Sequence, residues 1–336
     1  MWSCFRIPKE REEAERHFLE NGALLLEEMI TSFNGRSNPI RSFSKKELDR
    51  ATNNYHHDGL LHQGGFYKLY KGTYEDRVIS VKKFKGHTPQ IYIGECINEV
   101  AVASNMSNHN NVLKLMGCCL ETEIPILVYE FAASGRLSDY IYEKELSPSS
   151  IESKLRIATE IADAIAYLHN GTSKSIIHRD IKPQNILLDQ HNVAKLFEFG
   201  LSISIPLGET HVDVAVVYGT YLFIAPESAS TGRYTEKSDV YSFGMTLFEI
   251  LTGKKVRNIL DEVHGTSELD EEEVIDIEKN FRLYLEANIV KGNTEQLMAC
   301  AELAIRCIKV NLEERPSMME AAKELRMIRR FQYDSL

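Results

Sequence analysis

Patterns that bind metals or form disulfides are missing from this chain. Its six cysteines, Cys4, Cys96, Cys118, Cys119, Cys300 and Cys307, form no C-x-x-C pair and no zinc-ligand spacing. They read as reduced thiols of a cytosolic protein. No uninterrupted apolar run approaches the roughly 18 to 20 residues that span a bilayer, and the N-terminus has no basic-then-apolar secretory pattern. The expectation is a cytoplasmic chain without a transmembrane segment, brought to the plasma membrane, if at all, by its partners. Trp2 stands where N-myristoylation requires glycine, and Cys4, beside Arg6 and Lys9, reads as an ordinary exposed cysteine rather than a palmitoylation site. No clustered basic stripe is present and the formal net charge is -10, so the field of the molecule repels phosphate backbones and excludes nucleic acid as a partner. Internal repeats and low-complexity tracts are also absent. What remains is a 336-residue chain, 43% hydrophobic, able to bury one large domain in two lobes or two modest ones.

The chain divides by pattern. Residues 9 to 33 open with charges and then place Phe18, Leu25, Met29 and Phe33 at helical spacing, which predicts an amphipathic helix outside the main core. Two uses fit that helix equally: packing against the neighbouring lobe, or docking a partner helix or groove. Gly35 to Pro39 breaks it and serves as a linker, so residues 1 to 40 form a helix-and-linker segment ahead of a domain from 41 to 336. Ser44 with Glu47 three residues later is a capping box for a short helix. Between 61 and 131, "FYKLYKGTY", "RVISVKKF", "VLKLMGCCL" and "IPILVYEF" read as strands around one helix near "GECINEVAVASNM". Beyond Leu137 the pattern turns helical, with long periodic segments at 151–169, 237–252, 272–289 and 294–309. The acidic run Asp270 to Glu273 reads as the solvated start of one of these helices, where carboxylates meet the positive end of the dipole. The fold class is α+β, with a small β-rich lobe at about 41–131 and a larger helical lobe at about 132–336.

One stretch looks like a phosphate cradle with two glycines overwritten. In "LHQGGFYKLYKG", set against the template Gly-x-Gly-x-x-Gly, His62 and Tyr67 stand at the first and third glycine positions and only Gly64 is in register. If those positions need positive φ, each non-glycine residue costs roughly 1–2 kcal/mol, and the Tyr67 ring fills space that phosphates need. A surface turn residue is the better reading of His62, because no second histidine or cysteine lies at ligand spacing.

Further motifs follow in order. "VISVKKF" puts Lys82 on a strand, and Glu99 in the next helix can pair with it. Then come "HRDIKPQN" (His178 to Asn185), "KLFEFGLS" with Glu198, Phe199 and Gly200, "APE" (Ala225 to Glu227), "KSDVYSFG" with Asp239, and finally Arg315-Pro316. This series resembles the eukaryotic protein-kinase fold over about residues 50 to 330. Within kinases, "FSKKELDRATNNY", "LMGCC" and "SDVYSFGMTLFEILTGKK" resemble the plant receptor-like kinases in a cytoplasmic form. The N-terminal helix, the altered glycine loop and the altered metal motif are similar to the plant immune pseudokinases related to the HopZ-ETI-deficient protein.

The resemblance to kinases implies a role for each motif residue. Leu61, His62, Gly64 and Leu69 would line the nucleotide, and Lys82, fixed by Glu99, would hold its α and β phosphates. Asp180 would be the catalytic base, Lys182 would meet the γ-phosphate, and Asn185 and Glu198 would ligate Mg²⁺. Asp239 would hold the backbone of the catalytic loop, and Glu227 with Arg315 would form a buried ion pair. His178 and Arg179 also have structural roles in the fold, so the loop can persist for packing alone.

Three departures weigh against activity. Glu198 replaces aspartate in Asp-Phe-Gly and carries its carboxylate one methylene further out, whereas Mg²⁺ demands near-ideal octahedral geometry. A misplacement of about 1 Å at a reacting centre can cost on the order of 10²-fold. The overwritten glycines are the second departure. Phe197 and Leu222, the latter at a usually small or glycine position, add bulk around the activation segment and are the third.

That segment carries the apolar run "VDVAVVY", which reads either as an exposed interaction site or as a strand-like stretch tucked against the lobe. Thr210, Tyr218 and Thr220 are modifiable there, and Arg179 could pair with a phosphate.

The resemblance to immune pseudokinases implies an adaptor bound to the leucine-rich-repeat region of an NLR receptor, sensing bacterial effectors or effector-modified kinases. Binding of ATP and Mg²⁺ is expected to be weak or absent. The alternatives are a serine/threonine kinase of low turnover working through Lys82, Asp180, Asn185 and Glu198, and a partner protein with no nucleotide whose cleft is filled by its own side chains.

Overall fold

A computed structural model of the chain describes residues 9–33, 35, 38–85, 91–142, 150–264, 277–288 and 295–330. Cys4 and the acidic run at 270–273 lie outside the described residues. The chain forms two compact units: one runs to Ala133 and adds Phe197–Leu201, and the other is Ser134–Leu196 with the chain from Ser202 onward. The five residues around Glu198, counted by sequence with the helical lobe, therefore fold with the strand-rich unit, as does the N-terminal helix.

The first unit begins with helix α1 (Lys9–Phe33), strand β1 (Arg41–Ser42) and helix α2 (Lys45–Ala51). Next come β2 (Leu60–Gln63), β3 (Tyr67–Tyr74), β4 (Arg77–Phe84), helix α3 (Ile91–Met106), β5 (Leu115–Cys119) and β6 (Ile126–Glu130). The six strands make one sheet in the order β1-β5-β6-β4-β3-β2. β4 is central, and its run Ile79-Ser80-Val81-Lys82 is buried throughout. A lysine there can only persist with partners.

Ile79, Val81, Cys119, Ile126 and Val128 pack with Phe43 and Leu48 into a core beneath α2, each such side chain contributing about 1.5–3 kcal/mol on full burial. The capping box of α2 forms as its sequence predicts: Ser44 Oγ accepts from the Glu47 amide and Glu47 accepts from the Ser44 amide. β1, which its two residues did not announce, runs parallel to β5, and a Cβ on Gly117 would sit 2.0 Å from the Arg41 carbonyl oxygen. Only glycine allows that approach.

α1 packs on α3. Leu25 and Phe33 are buried as the periodicity requires, but Phe18 is exposed and Asn21 takes its place, donating to the Leu120 and Thr122 carbonyls at 3.1 and 2.9 Å.

The second unit has short strands and long helices. β7 (Gly135–Arg136) precedes α4 (Leu137–Tyr142) and α5 (Ile151–Asn170), followed by β8 (Ile176–Ile177), β9 (Ile186–Leu188), β10 (Ala194–Leu196), β11 (Ile203–Ser204) and β12 (Val212–Asp213). Then come α6 (Pro226–Thr231), β13 (Arg233–Tyr234), α7 (Glu236–Thr252), α8 (Val256–His264), α9 (Ile277–Asn288), α10 (Glu295–Cys307) and α11 (Met318–Arg330). α7 is buried from Ser238 to Leu251, and a Cβ on its Gly244 would come within 2.7 Å of Cys307 on α10. α11, which the sequence reading missed, seats Met318, Ala321, Ala322, Leu325 and Ile328 at helical spacing and packs on α5.

Candidate active site

In the first unit the site is built around Lys82. Its ammonium donates to Glu99 Oε2 at 2.6 Å and Glu198 Oε2 at 2.7 Å, and lies 4.5 Å from the centroid of the Tyr67 ring. Lys82 and Glu99 are each 1% exposed. Burial alone would lower the lysine pKa, but the Glu198 and Glu99 charges outweigh it and hold the ammonium well above its ordinary value. Burial raises the Glu99 carboxyl and the nearby Glu198 charge adds to the rise, while the Lys82 ammonium and a hydrogen bond from the Tyr129 hydroxyl work the other way. Neither Tyr129 nor the double pairing of Lys82 was foreseen from sequence. The tyrosine in "VYEF", placed across the sheet from the Lys82 strand, was the available signal for the first.

Glu198 adopts φ 67°, a left-handed conformation that costs a non-glycine residue about 1–2 kcal/mol. Asn98 on α3 holds the following turn, donating to the Phe199 and Gly200 carbonyls at 3.3 and 2.9 Å. The longer glutamate side chain puts one oxygen on Lys82 and leaves the other, Oε1, buried without a hydrogen-bond partner. That oxygen is the metal motif's one open ligand atom. Protein kinases of this fold use ATP and Mg²⁺; here the Tyr67 ring lies over the Lys82 ammonium and both carboxylates are paired with it.

The glycine-loop reading needs correction in its mechanism. His62 lies in β2 and Tyr67 in β3, and neither has positive φ. No left-handed strain arises, because both positions are ordinary strand positions, and only Gly64, Gly65 and Phe66 turn the hairpin. What the substitutions change is the space the side chains fill. Leu61 is the extra residue where the β2–β3 register shifts and is exposed, whereas Leu69 is buried in the sheet.

In the second unit, the catalytic loop is assembled. Asp180 Oδ2 accepts from Asn185 Nδ2 at 2.6 Å and pairs with Lys182 Nζ at 2.7 Å. Its Oδ1 accepts from the Thr220 hydroxyl at 2.8 Å, and that hydroxyl accepts from Lys182 at 2.6 Å. Thr220, singled out in the sequence only as modifiable, is thus a third support of the would-be base. Below it, Asp239 accepts from the His178 and Arg179 amides at 2.8 and 3.0 Å and from His169 at 2.9 Å. Glu227 takes both ends of the Arg315 guanidinium at 2.7 and 2.8 Å, a bidentate geometry.

The activation-segment run divides between its two expected uses. Val212, Val214 and Val217 pack on Ile177, Ile205 and Tyr234, while Val216, Tyr218 and Tyr221 are exposed. Arg179, at φ 71°, lies with its guanidinium carbon 4.4 Å from the Tyr234 ring centroid. Phe197 is fully buried and Leu222 half-buried. The five described cysteines are free and buried, with burial pushing Cys118, Cys119 and Cys307 up to about 12, so none is poised to react. No described helix is long and apolar enough to cross a membrane.

An ordered base, its lysine and the paired lysine–glutamate are the parts of a kinase, and the family of protein tyrosine and serine/threonine kinases matches residues 56–325. The chain belongs to that family. Among relatives, it is 39% identical to the serine/threonine-protein kinase ZRK1 of Arabidopsis thaliana over 95% of this chain and 94% of that one. It is 38% identical to the non-functional pseudokinase ZRK2 of the same plant, over 96% and 93%. Wall-associated receptor kinase-like 1, also from Arabidopsis thaliana, is 40% identical over 97% of this chain, which spans 45% of that longer protein. Relatives of nearly equal similarity thus carry names of opposite meaning for activity.

Proposed function

We propose that the protein is a pseudokinase adaptor of plant innate immunity, bound to an NLR receptor and sensing bacterial effectors or effector-modified kinases. The observation that carries the pseudokinase half is the pairing of Glu198 with Lys82 at 2.7 Å: the carboxylate meant for the metal is spent on the ammonium meant for phosphate. The adaptor half draws support from α1, whose buried side is fixed by Asn21, Leu25 and Phe33 while Leu19, Leu26 and Ile30 stand 65%, 60% and 55% exposed. These three lie seven and four residues apart, along one stripe suited to a partner helix or groove. The receptor and effector assignments rest on the resemblance to immune pseudokinases; the similarity to the non-functional pseudokinase ZRK2 supports only the pseudokinase half. Affinity purification from plant tissue tests them, with recovery of an NLR expected; recovery of phosphorylation substrates without any NLR overturns them.

A second reading, a serine/threonine kinase of low turnover, is favoured by the intact group of Asp180, Lys182, Asn185 and Thr220. Transfer of phosphate to a generic protein substrate, with Asp180→Ala as control, decides. Background rates in both proteins are expected, and robust Asp180-dependent transfer would establish the second reading.

A further inference from the structure

The hairpin between β2 and β3 does not stand free; it is fastened to β4 and α3 by aromatic rings. Phe66 at its tip meets Tyr92 of α3 with ring centroids 4.5 Å apart, Tyr92 meets Phe84 at 6.1 Å, and Phe84 meets Tyr67 at 6.2 Å. Offset and tilted pairs at these separations are the attractive arrangements of aromatic quadrupoles. Backbone contacts reinforce the chain of rings. The Phe66 carbonyl accepts from the Lys85 amide at 2.9 Å, Lys85 Nζ reaches the Gly65 carbonyl at 2.7 Å, and Gly64 donates to the Tyr67 carbonyl at 3.0 Å. Gly64 gives the hairpin room to fold on the ring: a Cβ there would lie 3.3 Å from Tyr67. At the inner end of this series, Tyr67 presents its face to the buried Lys82 ammonium, with Phe84 5.5 Å from it on its own strand.

We propose that Tyr67 is an internal plug on Lys82, an autoinhibitory contact held shut by the Phe66–Tyr92–Phe84 clamp. The proposal rests on the pseudokinase reading and names what closes the site. A ring face over a desolvated ammonium is attractive in itself, so the plug competes with phosphate for Lys82 as well as excluding it by volume. Because Tyr92 belongs to α3, which also carries Glu99, a displacement of α3 would loosen the plug and the lysine's carboxylate partner together. The device therefore couples the state of the hairpin to the position of one helix.

The test is titration of the purified full chain with the fluorescent nucleotide mant-ATP, with and without Mg²⁺, following its emission. Replacing Tyr67 with glycine is expected to tighten binding by about tenfold or more, the scale of one cation–π contact and one ring pair. Tyr67→Phe keeps the ring face and should bind as weakly as the unaltered chain. Tyr92→Ala, which leaves every group touching Lys82 in place, should give a smaller gain. Circular-dichroism melting checks that each variant folds, and Tyr92→Ala tests the proposal even if the glycine variant does not. Binding within twofold of the unaltered chain in folded Tyr67→Gly overturns the plug, and the same result in folded Tyr92→Ala overturns the clamp. Failure of the pseudokinase reading looks different: Asp180-dependent phosphate transfer by the unaltered chain would end that reading, while a gain in Tyr67→Gly would leave the plug standing.

Discussion

Asp180 in the second unit receives Asn185, Lys182 and Thr220, each within 2.8 Å, as a general base awaiting a substrate hydroxyl would. Lys82 in the first unit has its counterparts in equal order, but they are turned inward: two carboxylates and a ring where phosphates would bind. Both regions are well packed and hydrogen-bonded, so the difference is not one of decay. Most bonds of the second unit serve the backbone as well as the chemistry, as with Asp239 holding two loop amides, and a chain that stops catalysing still needs them. In the first unit a buried lysine needs partners of some kind, and the fold can supply them from its own side chains. The two units therefore differ in what completes their central residue: side chains that support Asp180 as a base in one, carboxylates and a ring drawn onto Lys82 in the other.

The comparison is sharpened most strongly by removing the scaffold on the intact side. Arg315 is fully buried and paired bidentately with Glu227, so Arg315→Ala leaves a carboxylate without its cation. A loss of about 3–5 kcal/mol is expected, read as a lower midpoint in urea unfolding. A loss under about 1 kcal/mol would mean that this pair, too, is spare.

Lys82→Met should cost nearly as much in the first unit, where a lysine serving only ATP would be replaceable at little cost. The triad predicts a pH signature as well. Burial already holds the Glu99 carboxyl above its unfolded value of 4.5, and loss of the ammonium raises it further. A group whose folded pKa exceeds its unfolded one favours the fold at low pH and loses that contribution as pH rises through the folded value. The deficit of Lys82→Met relative to the unaltered chain should thus shrink as pH falls from 7.5 to 5 in thermal melts. A deficit that is constant with pH would show that the Glu99 carboxyl does not depend on Lys82.

Much of this arrangement was legible beforehand because kinase motifs are short, ordered and tied to the backbone. Lys82 with Glu99, Asp239 under the catalytic loop, and Glu227 with Arg315 are pairings that the resemblance to kinases implies once the motifs are found in order. Strand β4 from Arg77 to Phe84 followed from its β-rich composition, and α2 from its capping box. What stayed hidden depended on where rings and carboxylates point. Tyr67 was legible as bulk, but its strand backbone and its seat on Lys82 were not, since sequence distinguishes neither a plug from a lid nor positive φ from extended chain. Glu198 was read as a displaced metal ligand; its move onto Lys82 needs the folded distance. Thr220 was hidden because a threonine hydroxyl forty residues from Asp180 carries no periodic signal.

A smaller effect separates the two causes of closure. Glu198→Asp shortens the carboxylate by one methylene and should return it toward a metal-binding position, yet with Tyr67 in place it should change Mg²⁺-dependent nucleotide affinity little. Joined with Tyr67→Gly, it should add a further gain that disappears when Mg²⁺ is chelated. A thermal shift with Mg²⁺-ATP measures both, and a full gain from Glu198→Asp alone would move the cause of closure from the ring to the carboxylate.

The least expected effect lies at the edge of the first unit, away from the site, and calibrates the others. Glu47 accepts from the Ser44 amide at 2.8 Å and from its hydroxyl at 2.8 Å, and these bonds hold its carboxyl down at about 2, well below its ordinary 4.5. A depressed folded pKa means that the cap contributes fully above pH 4.5 and loses its contribution as pH falls toward 2. Ser44→Ala should cost about 1 kcal/mol at neutral pH, and that cost should fade across the same acidic window. Urea midpoints at pH 7 and pH 3 test it. A cost that persists undiminished at pH 3 would mean that the hydroxyl-to-amide bond stabilises α2 without the carboxylate, so Glu47 would be a passenger in its own capping box.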